Sequence, residues 1–367
     1  MKISYDRFTI LAYLYLGFFM LSRSVLAPFI TYRSAEGPAE TSLLGAHITV
    51  SALGIMLMGL FWNRIAPNFN PKIALMSCGF LLALGSAGLF SSSLPLTFLA
   101  AFLLGAAGSG INISLHSALA DHHGEAKKIA IGQAALISSI FGASAPLLLS
   151  LAENSLGWGW RAGLFVPLLM LLPLLFLTPG TSFDQAHHQL GSTAEQKQSK
   201  KVPPAFWGWL LLLVLCSATE WTVLYWGSSF LHTVGSLPLE LAVATISCFV
   251  GFQILGRFLW TWLSRFFTVT QLLFCCLIVA MIGLLGFYFF TLHQASFIFL
   301  LFWVFIFSFG ISGTNQFNTV QVIEHSQGKP SFAMSRISLA AGLSVLLFPW
   351  LLGTQAEIFS LASAFLT

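Results

Sequence analysis

The sequence predicts an all-helical integral membrane protein made of two similar halves, and three observations support this prediction. Hydrophobic residues make up 57% of the chain and charged residues only 8%, whereas soluble domains carry roughly 25% charged residues. Apolar stretches of about 20 residues, the length that crosses the hydrocarbon core, recur along the whole chain. The third observation is an internal repeat, because the tetrapeptide SGIN at 109–112 returns as SGTN at 312–315.

Eleven apolar stretches are predicted to span the membrane. A last apolar piece, 358–366, is too short to span. The two asparagines of the repeat lie 203 positions apart, as do Pro146 and Pro349. The same offset predicts that the equivalent of the sixth span begins near position 361, only a few residues before the last residue given, Thr367. We therefore expect a twelfth helix that is truncated in this chain or natively short. The eleven spans are 8–30, 42–62, 73–91, 95–119, 129–151, 159–178, 206–230, 239–264, 270–292, 296–320 and 333–352.

The distribution of Lys and Arg between the loops predicts the orientation, because cytoplasmic loops carry an excess of these residues. With the N-terminus in the cytoplasm, the loops and ends on the opposite side hold only Arg33 and Arg161. We therefore expect a multi-pass protein of the bacterial inner membrane with a cytoplasmic N-terminus. The expected domains are an N-terminal six-helix bundle (1–178), a polar cytoplasmic linker (179–205) and a C-terminal bundle with an incomplete twelfth helix (206–367).

Two motifs on the basic side, at 59–64 and 256–265, resemble those of the major facilitator superfamily. The family motif G-x-x-x-D-R is matched at 59–64, where Asn63 replaces the acid, and Gly256-Arg257 followed by Arg265 is similar to its counterpart in the second half. The resemblance extends over nearly the full chain, towards bacterial sugar-permease-like or efflux-like members. It implies two six-helix bundles related by pseudo-two-fold symmetry. It also implies that basic residues of these motifs take part in gating: Arg64, Arg257 and Arg265.

Glu220 is the main candidate for proton coupling. It lies near the middle of the seventh span, where an acidic residue costs roughly 2.5–3.5 kcal/mol on insertion scales, and it could load and release a proton as a cavity changes sides. The alternative is a structural glutamate paired with an arginine. Arg23 in the first span could pair with Glu220, hold an anionic substrate or reach the interface. His116 and His47 are either proton relays or hydrogen-bonded structural residues.

Polar and aromatic side chains at helical spacing are the candidates for substrate binding. Residues three or four positions apart share a helix face, as Asn112 and His116 do. Trp221 and Trp226 could stack on a sugar or an apolar drug, and packing against another helix is the alternative. The full set is Asn112, His116, Gln133, Trp221, Trp226, Gln253, Asn315 and Asn318.

Pro146 and Pro349 lie late in the fifth and eleventh spans. A proline inside a helix removes a backbone hydrogen bond and permits bending. We expect these positions to be gating hinges, with static kinks as the alternative.

The remaining patterns argue against an enzyme. The sequence has no phosphate-binding loop, no paired carboxylates, no metal-ligand spacing among its five cysteines and no nucleophile–base arrangement, so we expect no cofactor, no metal and no nucleic-acid partner. We predict a monomeric secondary transporter that moves a small organic solute with protons by alternating access, a sugar or polar metabolite before an amphipathic drug. The alternatives are drug efflux, an uncoupled facilitator and a transporter-shaped sensor.

Overall fold

The computed structural model describes residues 3–35, 41–181 and 202–365, and this part of the chain is helical without strands. A π-helical turn, Leu151–Ser155, and a 3-10 helix, Trp160–Phe165, separate the sixth and seventh α-helices. The α-helices are α1 (Arg7–Ser24), α2 (Leu26–Ala35), α3 (Thr41–Ile65), α4 (Pro71–Gly88), α5 (Leu94–His123), α6 (Lys127–Ser150), α7 (Val166–Leu177), α8 (Pro204–Thr233), α9 (Leu239–Leu263), α10 (Val269–Leu292), α11 (Phe297–Glu324), α12 (Pro330–Ile358) and α13 (Leu361–Ala364).

Within these residues, ten segments are long and apolar enough to cross a membrane. One of them, Leu94–Glu153, contains both α5 and α6. Each of the eleven predicted spans therefore coincides with helical structure to within a few residues. The prediction of an all-helical membrane protein is confirmed.

Local sequence signals account for several helix ends. The Asn70 side chain accepts a hydrogen bond from the Lys72 backbone amide at 3.0 Å, so it caps the start of α4. Pro71 is the first residue of α4, and it has no backbone N–H that would be left unpaired there. α10 begins with a capping box, in which Thr268 and Gln271 bond to each other's backbone amides. These contacts satisfy donors that the first helical turn leaves unpaired.

The chain divides into two compact units. The first contains Met1–Pro204 and Ile323–Gly342, and the second contains Ala205–Val322 and Leu343–Thr367. The predicted domains 1–178, 179–205 and 206–367 stay a prediction, and most of the predicted linker, 182–201, lies outside the described residues.

The two units repeat one packing arrangement. In the first unit a Cβ added to Gly110 of α5 would lie 2.8 Å from the Cys78 sulfur and 2.9 Å from the Trp62 ring. In the second unit a Cβ at the equivalent glycine of α11 would lie 2.5 Å from a cysteine sulfur and 2.9 Å from a tryptophan ring. The repeat seen in the sequence thus extends to a shared glycine, cysteine and tryptophan contact. The second set is Gly313, Cys276 and Trp260.

Candidate functional site

The centre of the candidate site is the Glu220 carboxylate in α8, a residue that is 6% exposed. Gln253 of α9 donates its amide hydrogen to Glu220 Oε1 at 2.8 Å. Asn315 of α11 donates to Oε2 at 2.6 Å. Each carboxylate oxygen therefore has an amide donor from a different helix, which offsets the cost of removing the group from water.

A second layer of contacts holds the two amides. Arg257 Nη2 lies 3.7 Å from Glu220 Oε1 and 3.5 Å from the Gln253 side-chain oxygen. Ser217 donates its hydroxyl hydrogen to Asn315 Oδ1 at 2.9 Å. We call these five residues the Glu220 cluster: Ser217, Glu220, Gln253, Arg257 and Asn315.

Helical spacing explains why the cluster can form. Ser217 and Glu220 are three positions apart on α8, and Gln253 and Arg257 are four apart on α9, so each pair shares a face. Asn315 comes from the polar stretch of α11 that repeats the tetrapeptide of α5. The faces of three helices meet at one carboxylate.

The hydrogen-bond donors of the cluster converge on the Glu220 carboxylate. The amide and guanidinium groups present N–H donors towards the carboxylate, and an ionised carboxylate is a pure acceptor. The observed arrangement is therefore complementary to ionised Glu220. To bind a proton, the carboxyl group needs one amide to turn its oxygen towards it.

Arg257 lies inside the eighth span, 239–264, as predicted, and its side chain lies beside the Glu220 carboxylate. Its loop motif implied gating, but the residue lies within α9 beside Glu220, with a side chain that is 18% exposed. Arg23, considered as a partner of Glu220, lies half-buried in the last turn of α1, in the first unit. α9 extends to Leu263, so the Gly256-Arg257 pair of the motif is helical.

Three predicted substrate-binding residues of the second unit lie outside the cluster. Asn318 is fully buried, its Nδ2 lies 3.9 Å from the Cys216 sulfur, and its Oδ1 has no hydrogen-bond partner in the described residues. Trp221 stacks on Tyr225 with 5.9 Å between ring centroids. Trp226, the third of these residues, contacts the predicted hinge Pro349.

The Trp226 indole nitrogen donates to the Pro349 carbonyl at 2.9 Å. A Cβ at Gly353, one turn further along α12, would lie 2.8 Å from the same indole ring. Trp226 therefore joins α8 to α12 at the proline. This contact supports the packing alternative for Trp226.

In the described part of the first unit, His116 and Gln133 make separate contacts. His116 Nδ1 lies 3.2 Å from the Asn112 carbonyl, within α5. Gln133 of α6 accepts from the Tyr13 hydroxyl at 3.0 Å and donates to the Tyr5 hydroxyl at 2.8 Å. Gln133 thus fastens the N-terminal segment and α1 to α6.

The other predicted gating residues lie at helix ends or inside helices. Arg64 is exposed in the last turn of α3, and Arg265 is exposed just after α9. The neighbouring Asn63, which replaces the acid of the family motif, accepts a hydrogen bond from Ser331 at 3.2 Å. Pro146 lies inside α6, shortly before the π-helical turn.

One side chain of the cluster, Ser217, was missed from the sequence, whereas Gln316 was noted as a polar neighbour of Asn315. Ser217 could have been found from its spacing of three residues before Glu220. Gln316 is 5% exposed, and neither amide atom has a partner in the part of the chain that the structure describes. Among the same residues, no group of three His, Cys, Asp or Glu side chains is placed to hold a metal ion.

A comparison with protein-family models matches residues 12–349 to the Major Facilitator Superfamily. The chain belongs to this superfamily. Residues 12–349 include every helix that contributes to the Glu220 cluster, and this superfamily member is a multi-pass membrane protein. A search of curated protein sequences finds no match.

Solved structures give the same fold. The superfamily member is similar to the proton:xylose symporter XylE, with a TM-score of 0.76 and 13% identity, covering 98% of this chain and 91% of that chain. It is similar to the E. coli fucose:proton symporter FucP, with a TM-score of 0.70 and 15% identity, covering 98% and 95%. The human organic anion transporter MFSD10 gives a TM-score of 0.73 and 14% identity, covering 99% and 96%. At such identities the likeness shows the fold alone.

Proposed function

We propose that this superfamily member is a proton-coupled secondary transporter of a small polar organic solute, a sugar or a related metabolite. Glu220 carries the coupling proton. The observation that supports this proposal is a carboxylate, 6% exposed within a membrane-spanning helix, that is held by two amides and an arginine. An acid is costly to keep inside a membrane, so those that are retained there mark ion and proton pathways.

The proposed loading step is local. A proton adds to Glu220 Oε2, and the Asn315 amide turns so that its oxygen accepts the new O–H while its nitrogen donates to Ser217. Arg257 then loses the negative charge that it faces. Proton binding thereby changes the balance of forces between α8, α9 and α11, and this differential interaction is what an alternating-access transporter needs.

Two features favour a sugar-like solute: the side-chain amides of the Glu220 cluster and the similarity of the fold to sugar transporters. Side-chain amides both donate and accept hydrogen bonds, which suits the hydroxyl groups of a sugar. The similar structures include a proton:xylose and a fucose:proton symporter. Both features support a sugar-like solute moved together with a proton.

Arg257 favours a second candidate, a carboxylate-bearing organic anion. When Glu220 is protonated, the guanidinium no longer faces a negative charge and can bind a planar carboxylate in a bidentate manner. MFSD10, a similar structure, is an organic anion transporter. Transport of amphipathic drugs, uncoupled transport and sensing without transport are further outcomes of the proteoliposome measurement.

We also propose that the protein is a monomer in the bacterial inner membrane with a cytoplasmic N-terminus. The distribution of Lys and Arg between loops supports the orientation. The six-helix bundles at 1–178 and 206–367, joined by a cytoplasmic linker at 179–205, are part of the same proposal.

The test uses the purified chain in proteoliposomes with a pH-sensitive dye inside. A panel of sugars and organic anions is presented with and without a proton gradient. We expect the true solute to move protons with it, and Glu220→Gln to lower gradient-driven accumulation at least tenfold while leaving exchange of internal for external solute. The matched control is Glu125→Gln, a change at an exposed acid.

Uphill transport by Glu220→Gln at the wild-type level contradicts the proton-carrier role. A transport rate that does not change when a protonophore is added supports an uncoupled facilitator. Binding of a solute without its transport supports a sensor. Movement of organic anions but not of sugars supports the second candidate.

A further inference from the structure

A shallow groove lies on the surface of the first unit, between α4 and α7. Both helices belong to segments that can cross a membrane, and the groove side chains Ile73 and Phe80 are 58% and 50% exposed, so the groove faces the lipid. Its volume is about 540 Å³, within the roughly 300–1,000 Å³ of ligand-binding clefts. The lining residues are Ile73, Met76, Ser77, Phe80, Leu81 and Leu175.

Contacts between α4 and α7 border the groove along its length. A Cβ added to Gly79 would lie 3.1 Å from the Leu171 side chain, so the glycine lets α7 approach α4 there. At the other end, Lys72 Nζ donates to the Pro179 carbonyl at 3.1 Å, just beyond the end of α7. α7 therefore stays beside α4 along the stretch 72–79.

The lining residues of α4 form two neighbouring rows, because side chains four positions apart lie one above the other on a helix. The first row contains Met76 and Phe80. Lys72, four positions before Met76, extends this row towards the start of the helix. The second row has the Ser77 hydroxyl in its middle, between apolar side chains at 73 and 81. The groove thus has a cation at one end and one hydroxyl group along its floor.

Lys72 is the only charged side chain of α4 and α7. An ammonium group has three N–H donors, and the bond to the Pro179 carbonyl uses one of them. The residue also lies in the first turn of α4, where the helix dipole adds positive potential. This end of the groove is therefore suited to an anion.

The length of α4 defines the depth of Lys72 in the bilayer. The helix has 18 residues, and at a rise of 1.5 Å per residue it is about 27 Å long, close to the roughly 30 Å of the hydrocarbon core. The whole helix is needed to cross, so Lys72 in its first turn lies at the level of the lipid headgroups. Ser77 lies about 7.5 Å further into the membrane.

We propose that this groove binds one anionic phospholipid, at a site separate from the Glu220 cluster. The lipid phosphate accepts from the remaining N–H donors of Lys72, the Ser77 hydroxyl donates to an ester carbonyl, and an acyl chain lies over Phe80 and Leu81. A zwitterionic headgroup would bring a second cation beside Lys72, whereas an anionic one does not. Since acyl chains are surrounded by apolar groups anywhere in the bilayer, the headgroup contacts provide the selectivity.

The test measures lipid binding to the full chain. The protein in detergent is incubated with equal amounts of phosphatidylglycerol and phosphatidylcholine that carry the same acyl chains, and native mass spectrometry identifies the bound lipid. We expect one phosphatidylglycerol to be retained at least fivefold more often than phosphatidylcholine. Equal retention overturns the proposal. A preference that disappears when inorganic phosphate is added shows a simple anion site and also overturns it.

Variants of Lys72 test the headgroup contact. Lys72→Gln is expected to reduce the preference for phosphatidylglycerol to less than twofold, and Lys72→Arg, which keeps the charge, is expected to retain it. The matched control is Lys329→Gln, a change at an exposed lysine in the loop between α11 and α12 on the same predicted side of the membrane. An undiminished preference in Lys72→Gln overturns the proposal.

A bulky side chain tests the groove itself. Ser77→Trp extends from an exposed position of α4 into the groove, so we expect it to lower the retention of phosphatidylglycerol at least fivefold. Ile282→Trp, at a 49% exposed position of α10, is the control. Wild-type retention in Ser77→Trp overturns the groove as the binding site. Lipid retention requires neither a solute nor a proton gradient, so failure here is distinct from failure of the proposed transport function.

Discussion

At the scale of the residue, Glu220 shows how a membrane helix accommodates an acid. Its two oxygens accept from Gln253 and Asn315, and these amides accept from Arg257 and Ser217 in turn. The sequence predicted Glu220, Gln253 and Asn315 as site residues from polarity and spacing. It did not predict their contact, because residues 33 and 95 positions away along the chain form the hydrogen bonds.

Asp6 outside the first span predicts a pH dependence. Its carboxylate accepts from the Thr9 amide at 2.9 Å and lies 2.8 Å from His122 Nε2. Partial burial acts to raise the pKa of Asp6, but the hydrogen bonds from Thr9 and the facing His122 outweigh it and hold the pKa below its usual value. Because the folded pKa is the lower one, the stabilisation is present above about pH 4 and is lost as the pH falls through the folded pKa.

We therefore expect Asp6→Ala to lower the free energy of unfolding by about 1 kcal/mol at pH 7, the usual effect of losing an N-cap. The difference from wild type should shrink towards pH 3. Thermal melting in detergent at pH 7, 5 and 3 measures both effects. Asp6→Asn keeps the capping oxygen and should lose less; equal melting temperatures for Asp6→Ala and wild type at pH 7 contradict this role.

A substitution of Trp226 distinguishes two roles for this side chain, packing between helices and binding of the solute. Trp226→Phe removes the hydrogen bond to the Pro349 carbonyl and part of the contact with Gly353. We expect the melting temperature to fall by a few degrees, with KM for the transported solute unchanged within about twofold. Melting curves and uptake kinetics measure the two quantities.

Trp207→Phe is the matched control for Trp226→Phe, since Trp207 lies in the same helix and is 50% exposed. It should change neither melting nor KM. A tenfold rise in KM for Trp226→Phe with normal stability favours stacking on the solute instead.

At the scale of the element, small residues determine how closely α3 and α5 pack. A Cβ at Gly105 would meet the Ser51 carbonyl oxygen, and one at Gly54 would lie 2.5 Å from the Phe102 carbonyl oxygen. Both obstacles are backbone atoms, which cannot move without shifting a helix. Small residues at such positions permit the close backbone contact on which membrane helices rely.

Gly105→Ala should therefore lower the stability by about 1–3 kcal/mol, the usual cost of overpacking. The yield of folded protein after detergent extraction and its melting temperature measure this effect. Gly45→Ala is the control, because a Cβ there has no atom within 4 Å. Melting of Gly105→Ala at the wild-type temperature would show that the two helices can separate without cost.

The predicted hinges belong to the same scale. The sequence placed Pro146 and Pro349 late in two spans, and both lie inside α-helices, in different structural surroundings. Pro146 precedes a π-helical turn, whereas the Pro349 carbonyl receives the Trp226 indole. A pattern of single residues marks where a helix lacks a hydrogen bond, but neighbouring side chains decide what replaces it.

At the scale of the whole molecule, the orientation is testable. Ser92 lies in the loop between α4 and α5, and Asn68 lies between α3 and α4. With a cytoplasmic N-terminus, a membrane-impermeant maleimide should label Ser92→Cys in intact cells and Asn68→Cys only after permeabilisation. The wild-type chain gives the background labelling of the native cysteines. The reverse labelling pattern contradicts the orientation.

Composition and periodicity determined the all-helical membrane fold, because a bilayer requires about 20 apolar residues for each span and leaves few other solutions. The loop motifs determined the superfamily, and the repeat at Gly110 and Gly313 determined the internal duplication. Only the tertiary structure decided that Arg257 lies at Glu220 and that Trp226 meets Pro349. Spacing along one helix defines a polar face, but the partner of that face depends on how closely distant helices approach and rotate.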